Sequence, residues 1–344
     1  FNAEKIVRVV KFVPPNERQI AVGLDSGRIK FINPSNPKNQ SELQDDDYIG
    51  DRVFDLTFTN DAKHIFAGYG SGKLRIWSRE IGSTVWQKEP KVLDLQDKQG
   101  ELSSFQIYAL ALTPDQKYLI VAGSFRRFFK IPVKEILNRK SLEDFNDFSL
   151  QKFEKVGGNT GEGDYVWGLD FANYANKKIL ATSDSNGYIA IWDLDGCNAF
   201  SNNEQKSNQE VEEVEGVEKV ERVEEIERVD CKLLEKWQVK SKYKQVNSNQ
   251  DIRPNQIRSL RFSQDSNYLV SGGDDGRVAV WYFKDDDSFK LDKIKSKGQE
   301  GETIKPESNR KINSIDLRSI EDEGKGFAIS GSEDFQVRLH RIEL

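Results

Sequence analysis

Short apolar runs separated by polar turns recur along this chain in one arrangement that appears six times. Each copy has an apolar run, a polar turn, a second apolar run, a turn rich in Gly, Asp and Ser, and a third run ending in Trp or a substitute. Short apolar runs bounded by turn residues predict β-strands rather than helices. The six first strands are predicted at Val7–Phe12, Val53–Phe58, Ile107–Leu112, Val166–Phe171, Ile257–Phe262 and Ile312–Leu317.

The length of the repeat predicts the architecture. A unit of about 40–45 residues with four short strands is typical of a propeller blade. We therefore predict an all-β protein, a β-propeller of four-stranded antiparallel blades that spans residues 1–344 as one domain. The cores of its repeats are predicted at about 6–33, 52–78, 106–133, 165–195, 256–283 and 311–342.

Two segments carry the most specific motif. Ser271–Trp281 reads SGGDDGRVAVW, and Thr182–Asp193 reads TSDSNGYIAIWD and ends in a Trp-Asp pair. These residues resemble the WD-repeat β-propeller family, and the resemblance covers essentially the whole chain. Typical members have a Gly-His pair before each repeat and use its His in a buried hydrogen-bonded tetrad. That pair is absent here, because the only histidines are His64 and His340. Packing is therefore expected to hold most blades together.

The number of blades depends on how the ring closes. Six repeats are visible, and the chain ends directly after the third strand of the sixth. The resemblance implies that an amino-terminal strand completes the last blade and so removes an open sheet edge. Residues 1–6 are too short to supply it, and the chain begins at Phe1 and contains no Met. We expect upstream sequence to supply this strand, and it could add a seventh blade. Six blades with another closure are the alternative.

The charge is concentrated in one segment. Residues 210–230 contain ten acidic and three basic residues, so their balance of −7 exceeds the net charge of −6 of the whole chain. This segment belongs to an acidic, low-complexity insert at 198–231, within the fourth repeat. The rest of the chain is close to neutral and has no basic stripe, which disfavours nucleic-acid binding. Cys197 and Cys231 flank the insert and are expected to be reduced thiols in a cytoplasmic protein.

The sequence shows no pattern of residues typical of catalysis. No histidine pair for a metal, no Ser/His/Asp spacing and no phosphate-binding glycine loop is present, so we expect no catalytic residue, metal or cofactor. No apolar run approaches the length needed to cross a bilayer, and no leader precedes the first repeat, so no membrane contact is expected.

The resemblance indicates which positions surround the mouth of the channel. In similar propellers, the second residue of the first strand and the residue before the turn Asp contact peptides. Phe54, Tyr108, Phe125 and Trp167 would then form an aromatic arc, with Arg126 and Arg127 beside it. A charged arc would lie opposite, made of Arg8, Arg258, Asp25, Asp274 and Glu333. Aromatic and Arg side chains at a concave surface are typical of binding hot spots, although the aromatics could instead fill the channel as core.

The predicted function is non-catalytic binding of a protein or peptide partner at this mouth, within a larger intracellular protein. The ligand would carry a basic or apolar anchor. One alternative is a ligand-sensing or autoinhibitory propeller that restrains an upstream effector in a signalling receptor. A propeller hydrolase or dehydrogenase is a further alternative, but it would need converging carboxylates or histidines at the mouth. Only Asp25, Asp274 and Glu333 come near that requirement.

Overall fold

Six antiparallel sheets form the part of the protein that the structure, a computed structural model, describes. The described residues are 2–15, 18–44, 49–80, 83, 85–95, 105–124, 127–138, 151–154, 165–195, 232–238, 256–283, 291–293, 311–319 and 325–343. The acidic insert and both cysteines lie outside them. Within this part, the only helix is α1 (Val133–Asn138), and no helix could span a membrane.

Consecutive strands pair in order in the first three sheets. The first sheet contains β1 (Val7–Phe12), β2 (Ile20–Leu24), β3 (Ile29–Asn33) and β4 (Asn36–Leu43). The second contains β5 (Val53–Phe58), β6 (His64–Tyr69), β7 (Lys73–Ser78) and β8 (Lys91–Asp94). The third contains β9 (Ile107–Leu112), β10 (Tyr118–Gly123), β11 (Arg127–Pro132) and β12 (Gln151–Glu154).

The remaining sheets follow the same order, and the sixth has three strands among the described residues. The fourth contains β13 (Val166–Tyr174), β14 (Lys177–Asp184), β15 (Tyr188–Asp193) and β16 (Lys232–Gln238). The fifth contains β17 (Ile257–Phe262), β18 (Tyr268–Gly273), β19 (Val278–Phe283) and β20 (Leu291–Lys293). The sixth contains β21 (Ile312–Ser319), β22 (Lys325–Ser332) and β23 (Val337–Glu343).

The first strands of the six sheets contact one another in cyclic order, β1–β5–β9–β13–β17–β21 and back to β1. Six clusters of buried apolar side chains, each shared by two neighbouring sheets, fill the spaces between them. Each sheet therefore buries both faces against its neighbours, and the loss of apolar surface from water stabilises the ring. The propeller predicted from the repeat is confirmed.

The ring closes where the sixth sheet meets the first. A Cβ on Gly331 would lie 2.3 Å from Val7, so only glycine permits this close approach of the two sheets. The Asn313 side chain also donates a hydrogen bond to the Val7 carbonyl oxygen at 2.8 Å. Because β21 and β1 are direct neighbours, six sheets close this ring, which was the alternative to a seventh blade. The amino terminus contributes a bridge between Asn2 and Gln336, at the edge of β23.

A hydrogen bond between the second and third strands survives in part of the ring. The indole nitrogens of Trp192 and Trp281 donate to Thr182 Oγ1 and Ser271 Oγ at 3.0 and 2.9 Å. In the sixth sheet His340 Nε2 and Ser330 Oγ replace them, 2.7 Å apart. In the second sheet the matching residue of β6 is Ala67, which has no hydroxyl. Trp77 Nε1 is accordingly buried without a partner in the described part of the chain.

Candidate functional site at the channel mouth

A β-bulge at the same place in all six first strands positions the side chains of the mouth. In the first sheet, for example, the ladder pairs Val7 with Leu24 and Val9 with Gly23, which leaves Arg8 unpaired. A bulge bends the strand locally and redirects the extra side chain. The bulged residues are Arg8, Phe54, Tyr108, Trp167, Arg258 and Asn313.

Three of these residues form a continuous aromatic surface. The Phe54 and Tyr108 rings meet edge to face with centroids 4.9 Å apart, and the Tyr108 and Trp167 rings lie 4.3 Å apart at 44°. Tyr165, which sequence reasoning missed, packs 5.5 Å from Tyr108 and 6.0 Å from Trp167. Phe54 and Trp167 are half-buried and Tyr108 is buried, so the aromatics combine a structural role with a partly exposed face.

Two arginines continue this surface at its ends. The Arg8 guanidinium lies 5.6 Å from the centroid of the Phe54 ring, and that of Arg258 lies 4.7 Å from Trp167. Both distances fall within the range of cation–π attraction. We call Arg8, Phe54, Tyr108, Trp167 and Arg258 the mouth belt. The sequence had suggested that Arg8 and Arg258 face the aromatic arc from across the channel. In the structure they lie at its two ends and extend it.

Each arginine of the belt belongs to a triad in which one carboxylate serves two cations. Asp25 Oδ1 lies 2.6 Å from Arg8 and 3.1 Å from Arg52. Asp274 pairs with Arg258, and its second oxygen lies 3.3 Å from Lys311 Nζ. The inner cations are largely buried, whereas the side chains of Arg52 and Lys311 are 55% and 40% exposed. Each triad thus carries an excess positive charge, and its exposed cation faces solvent.

A backbone hydrogen bond that occurs in all six sheets brings the other predicted positions to the mouth. In each sheet, the carbonyl oxygen before the first strand accepts a hydrogen bond from the amide in the turn after the second strand. The donors are Asp25, Gly70, Ser124, Ser185, Asp274 and Glu333. In the third sheet the donor is Ser124, one residue before the predicted Phe125. Phe125 and Arg126 lie outside the described residues, as does the side chain of Arg127, which begins β11.

The residues missed by the sequence interpretation share one position, immediately before a first strand. They are Arg52, Gln106, Tyr165, Gln256 and Lys311. Gln106 Oε1 accepts a hydrogen bond from the Tyr108 hydroxyl at 2.5 Å, and Gln256 Oε1 lies 3.4 Å from Arg258 Nη2. A search at this offset in the repeat would have found all five. Glu333, which was predicted, is half-buried beside Lys311.

The electrostatics of the mouth centre on Tyr108. Burial raises the pKa of the Tyr108 hydroxyl, whereas the nearby cations Arg258 and Arg52 act in the opposite direction. Both guanidinium groups therefore lie close enough to act on this hydroxyl, although they belong to the fifth and second sheets. The Tyr108 hydroxyl consequently stays neutral at physiological pH and remains a hydrogen-bond donor.

A pocket below the belt leads into the channel. It is open to solvent, and its walls include Phe54, Tyr108, Trp167, Arg258 and also Asp55 and Arg261. Arg261 occupies the centre of the channel: its guanidinium nitrogens lie 3.5 Å from Asp170 and Asp316 and 3.8 Å from Asp55 across the ring. Lys11 Nζ lies 3.4 Å from Asp55. We call Lys11, Asp55, Asp170, Arg261 and Asp316 the waist cluster.

The waist cluster contains three carboxylates and two cations. Burial, the largest effect, raises the pKa of Asp170 to about 7 and also raises the pKa values of Asp55 and Asp316. Its carboxylates also join neighbouring sheets, because Asp55 accepts from the Leu110 amide at 2.8 Å, and Asp170 and Asp316 accept from Phe262 and Phe12 at 2.7 Å. The cluster links the sheets around the channel, and the sequence interpretation did not find it.

The described side chains of the mouth combine aromatic rings with paired charges. Among the described residues, no group of three or more His, Cys, Asp or Glu is arranged to hold a metal ion. His64 and His340 each pair with a serine, Ser78 and Ser330. Asp25 and Asp274 are both engaged by two cations. What the mouth offers is an aromatic surface with cations at both ends.

Comparison with known proteins identifies one sequence repeat in this chain and solved structures with a similar fold. Residues 249–282 match the model of the WD domain, G-beta repeat. The chain resembles one in the crystal structure of the mitotic checkpoint complex (12% identity, TM-score 0.52), covering 100% of this chain and 77% of that one. It also resembles the Cps50 (Swd1) β-propeller domain of Myceliophteria thermophila (10% identity, TM-score 0.54), covering 98% and 83%. No curated protein matches by sequence.

Proposed function

Because this chain is a β-propeller that carries a WD repeat, we propose that it is a non-catalytic scaffold that binds a protein or peptide partner at the channel mouth. Propellers of this kind generally serve as protein-interaction modules. The fold by itself assigns no site, so the proposal depends on the residues at the mouth. Location in the cytoplasm, attachment to upstream domains and the absence of nucleic-acid and membrane binding stay predictions from the sequence.

One observation supports the proposal most strongly: the mouth belt is continuous over five neighbouring sheets. Phe54 contacts Tyr108, and Tyr108 contacts Trp167. Arg8 and Arg258 stack on the rings at the two ends of this row. Aromatic rings and arginines held rigidly on strands lose little conformational entropy on binding, and both residue types are typical of interface hot spots. A partner segment laid across the mouth would contact several sheets at once.

The test compares two tryptophans by quantitative affinity capture of partners from cell extract. Trp167→Ala removes the widest ring of the belt. Trp86→Ala is the matched control, because Trp86 stacks on Phe31 and Arg79 away from the channel. We expect Trp167→Ala to lower capture at least about tenfold, as loss of a hot-spot aromatic does, and to leave the melting temperature within a few degrees of the wild type. The control should retain capture.

Two results would contradict the proposal. If Trp167→Ala melts far below Trp86→Ala, the belt is core and its partly exposed face has no binding role. If both variants capture equally well, the partner binds elsewhere on the ring. Turnover of esters or sugars by the wild-type chain would favour the enzyme alternative.

A further inference from the structure

The charges of the mouth indicate which chemistry its ligand carries. The sequence suggested a ligand with a basic or apolar anchor, because Asp25, Asp274 and Glu333 surround the mouth. In the structure, however, Asp25 and Asp274 are each engaged by two cations. A basic side chain would have to displace a formed ion pair to reach either carboxylate. These acids consequently offer little attraction to a basic ligand.

Among the described residues of the mouth, in contrast, the cations outnumber the carboxylates that neutralise them. Arg8, Arg52, Arg258 and Lys311 share two carboxylates within the triads, and Glu333 is the remaining acid of the predicted set. The nearby Asp51 does not change this balance, because it pairs with Arg75 at 2.9 Å and accepts from the Ser71 hydroxyl at 2.6 Å. The excess positive charge lies on exposed side chains, above all Arg52.

The position of Tyr108 shows where a ligand anion would gain most. Its ring lies between Phe54 and Trp167, and Arg52 and Arg258 both act on its hydroxyl. A carboxylate near this hydroxyl would be attracted by both guanidinium groups. A ring or aliphatic side chain next to it could lie on Phe54 or Trp167. Guanidinium groups bind carboxylates through geometrically matched hydrogen bonds, whereas they repel cations.

We propose that the mouth binds an acidic segment of a partner protein, in which Asp or Glu side chains flank an apolar or aromatic anchor. This inference rests on the proposed function and specifies its ligand. The anchor packs on the aromatic part of the mouth belt, and the acidic side chains pair with the exposed cations of the triads, above all Arg52. Because these cations are exposed, charge contributes mainly to specificity and to the rate of association.

The experiment uses model peptides of sequence Gly-Gly-X-X-Phe-X-X-Gly-Gly with a neutral dye, in which X is Glu, Gln or Lys. Binding to the full chain is measured by fluorescence anisotropy. We expect the Glu peptide to bind about tenfold more tightly than the Gln peptide and the Lys peptide to bind most weakly. The advantage of Glu should shrink between about 50 and 200 mM NaCl, because salt screens exposed charges.

A pair of matched variants locates the effect. Arg52→Gln should weaken the Glu peptide about threefold to fivefold, the scale of an exposed ion pair, and leave the Gln peptide unchanged. Arg28→Gln is the control: Arg28 is similarly exposed and pairs with Glu42 at 3.5 Å, outside the belt and its triads. It removes the same charge and should leave both peptides unchanged.

The outcomes separate this inference from the proposed function. Equal binding of all three peptides that is lost in Trp167→Ala would support binding at the mouth and overturn its preference for acidic ligands. Tightest binding of the Lys peptide, or an unchanged preference in Arg52→Gln, would overturn it as well. If none of the peptides binds, the inference fails, and the capture experiment alone then decides on the proposed function.

Discussion

The mouth belt and the waist cluster both lie on first strands, and four of the five waist residues follow the bulged residue of their strand by three positions, yet the charges of the two regions have different partners. Arg258 at the mouth stacks on Trp167, pairs with Asp274 and is 10% exposed. Arg261 at the waist is about equally buried, at 11%, but its guanidinium contacts carboxylates from three other sheets. The two arginines differ in the number of sheets they join rather than in burial.

The charges of the mouth and of the waist therefore differ in how much the stability of the propeller depends on each of them. At the mouth each charge has a local partner on its own or the adjacent sheet, so one substitution leaves few groups without compensation. At the waist the charges form one network across the channel, and a change at one residue affects them all. Buried networks of this kind are costly when one member is removed.

The largest expected effect comes from Arg261→Gln. The variant leaves three carboxylates at the waist with Lys11 as their one remaining cation, so we expect a loss of about 3 kcal/mol in the free energy of unfolding. Arg258→Gln, the matched variant at the mouth, should cost less, about 1–2 kcal/mol, since Asp274 keeps a second cation, Lys311. Urea denaturation measures both. Equal losses would show that mouth and waist do not differ in this way.

The next effect is the pH dependence of Asp170. In the folded protein this carboxyl holds its proton up to about pH 7, whereas the unfolded chain releases it near 4. Stability from this group is therefore fully present at low pH and is lost as the pH rises through about 7. Asp170→Asn removes this contribution and leaves two carboxylates with two cations at the waist; Asp55 and Asp316, whose pKa values burial also raises, remain in both proteins.

Thermal melts at several pH values check this sign. Relative to the wild type, Asp170→Asn should gain about 2–3 kcal/mol of stability between pH 5 and pH 8, because each pH unit from 5 to 7 contributes about 1.4 kcal/mol. His340, whose pKa burial lowers to about 4, acts in the opposite direction but is present in both proteins and cancels in the comparison. A difference that is constant with pH, or that grows on acidification, would contradict a proton held at Asp170.

The smallest effects come from removing one hydroxyl group, either from a buried contact between two sheets or from the mouth. Ser259 accepts from the Ile315 amide at 3.1 Å and donates to its carbonyl oxygen at 3.3 Å, so Ser259→Ala breaks a buried link between two sheets. We expect it to cost about 1–2 kcal/mol. Tyr108→Phe loses the hydrogen bonds of its hydroxyl with Gln106 and Ser124 at the mouth and should cost about 1 kcal/mol or less. Differential scanning calorimetry of both variants tests the order, and the reverse order would contradict it.

Much of the fold could be predicted because the same pattern of strands and turns occurs six times in the sequence. The apolar runs at Val7–Phe12 and its five counterparts became the first strands with the predicted bounds or slightly longer ones, as β13 and β21 show. The site was predictable only in part. Phe54, Tyr108 and Trp167 were found from the resemblance, but Phe125 was placed one residue away from the equivalent Ser124. Nothing in the sequence of this turn indicates whether Ser124 or Phe125 occupies the position that faces the mouth.

The amino-acid sequence by itself determined the architecture, because short apolar strands with turn residues at a fixed period can bury their faces only against copies of themselves. Only the tertiary structure decided which charges meet. The contacts of Arg261 with Asp55, Asp170 and Asp316 join residues about 60 to 200 positions apart, and the bulge that redirects each mouth side chain depends on pairing with the next strand. Such contacts arise from the closure of the ring, which brings distant strands to one axis.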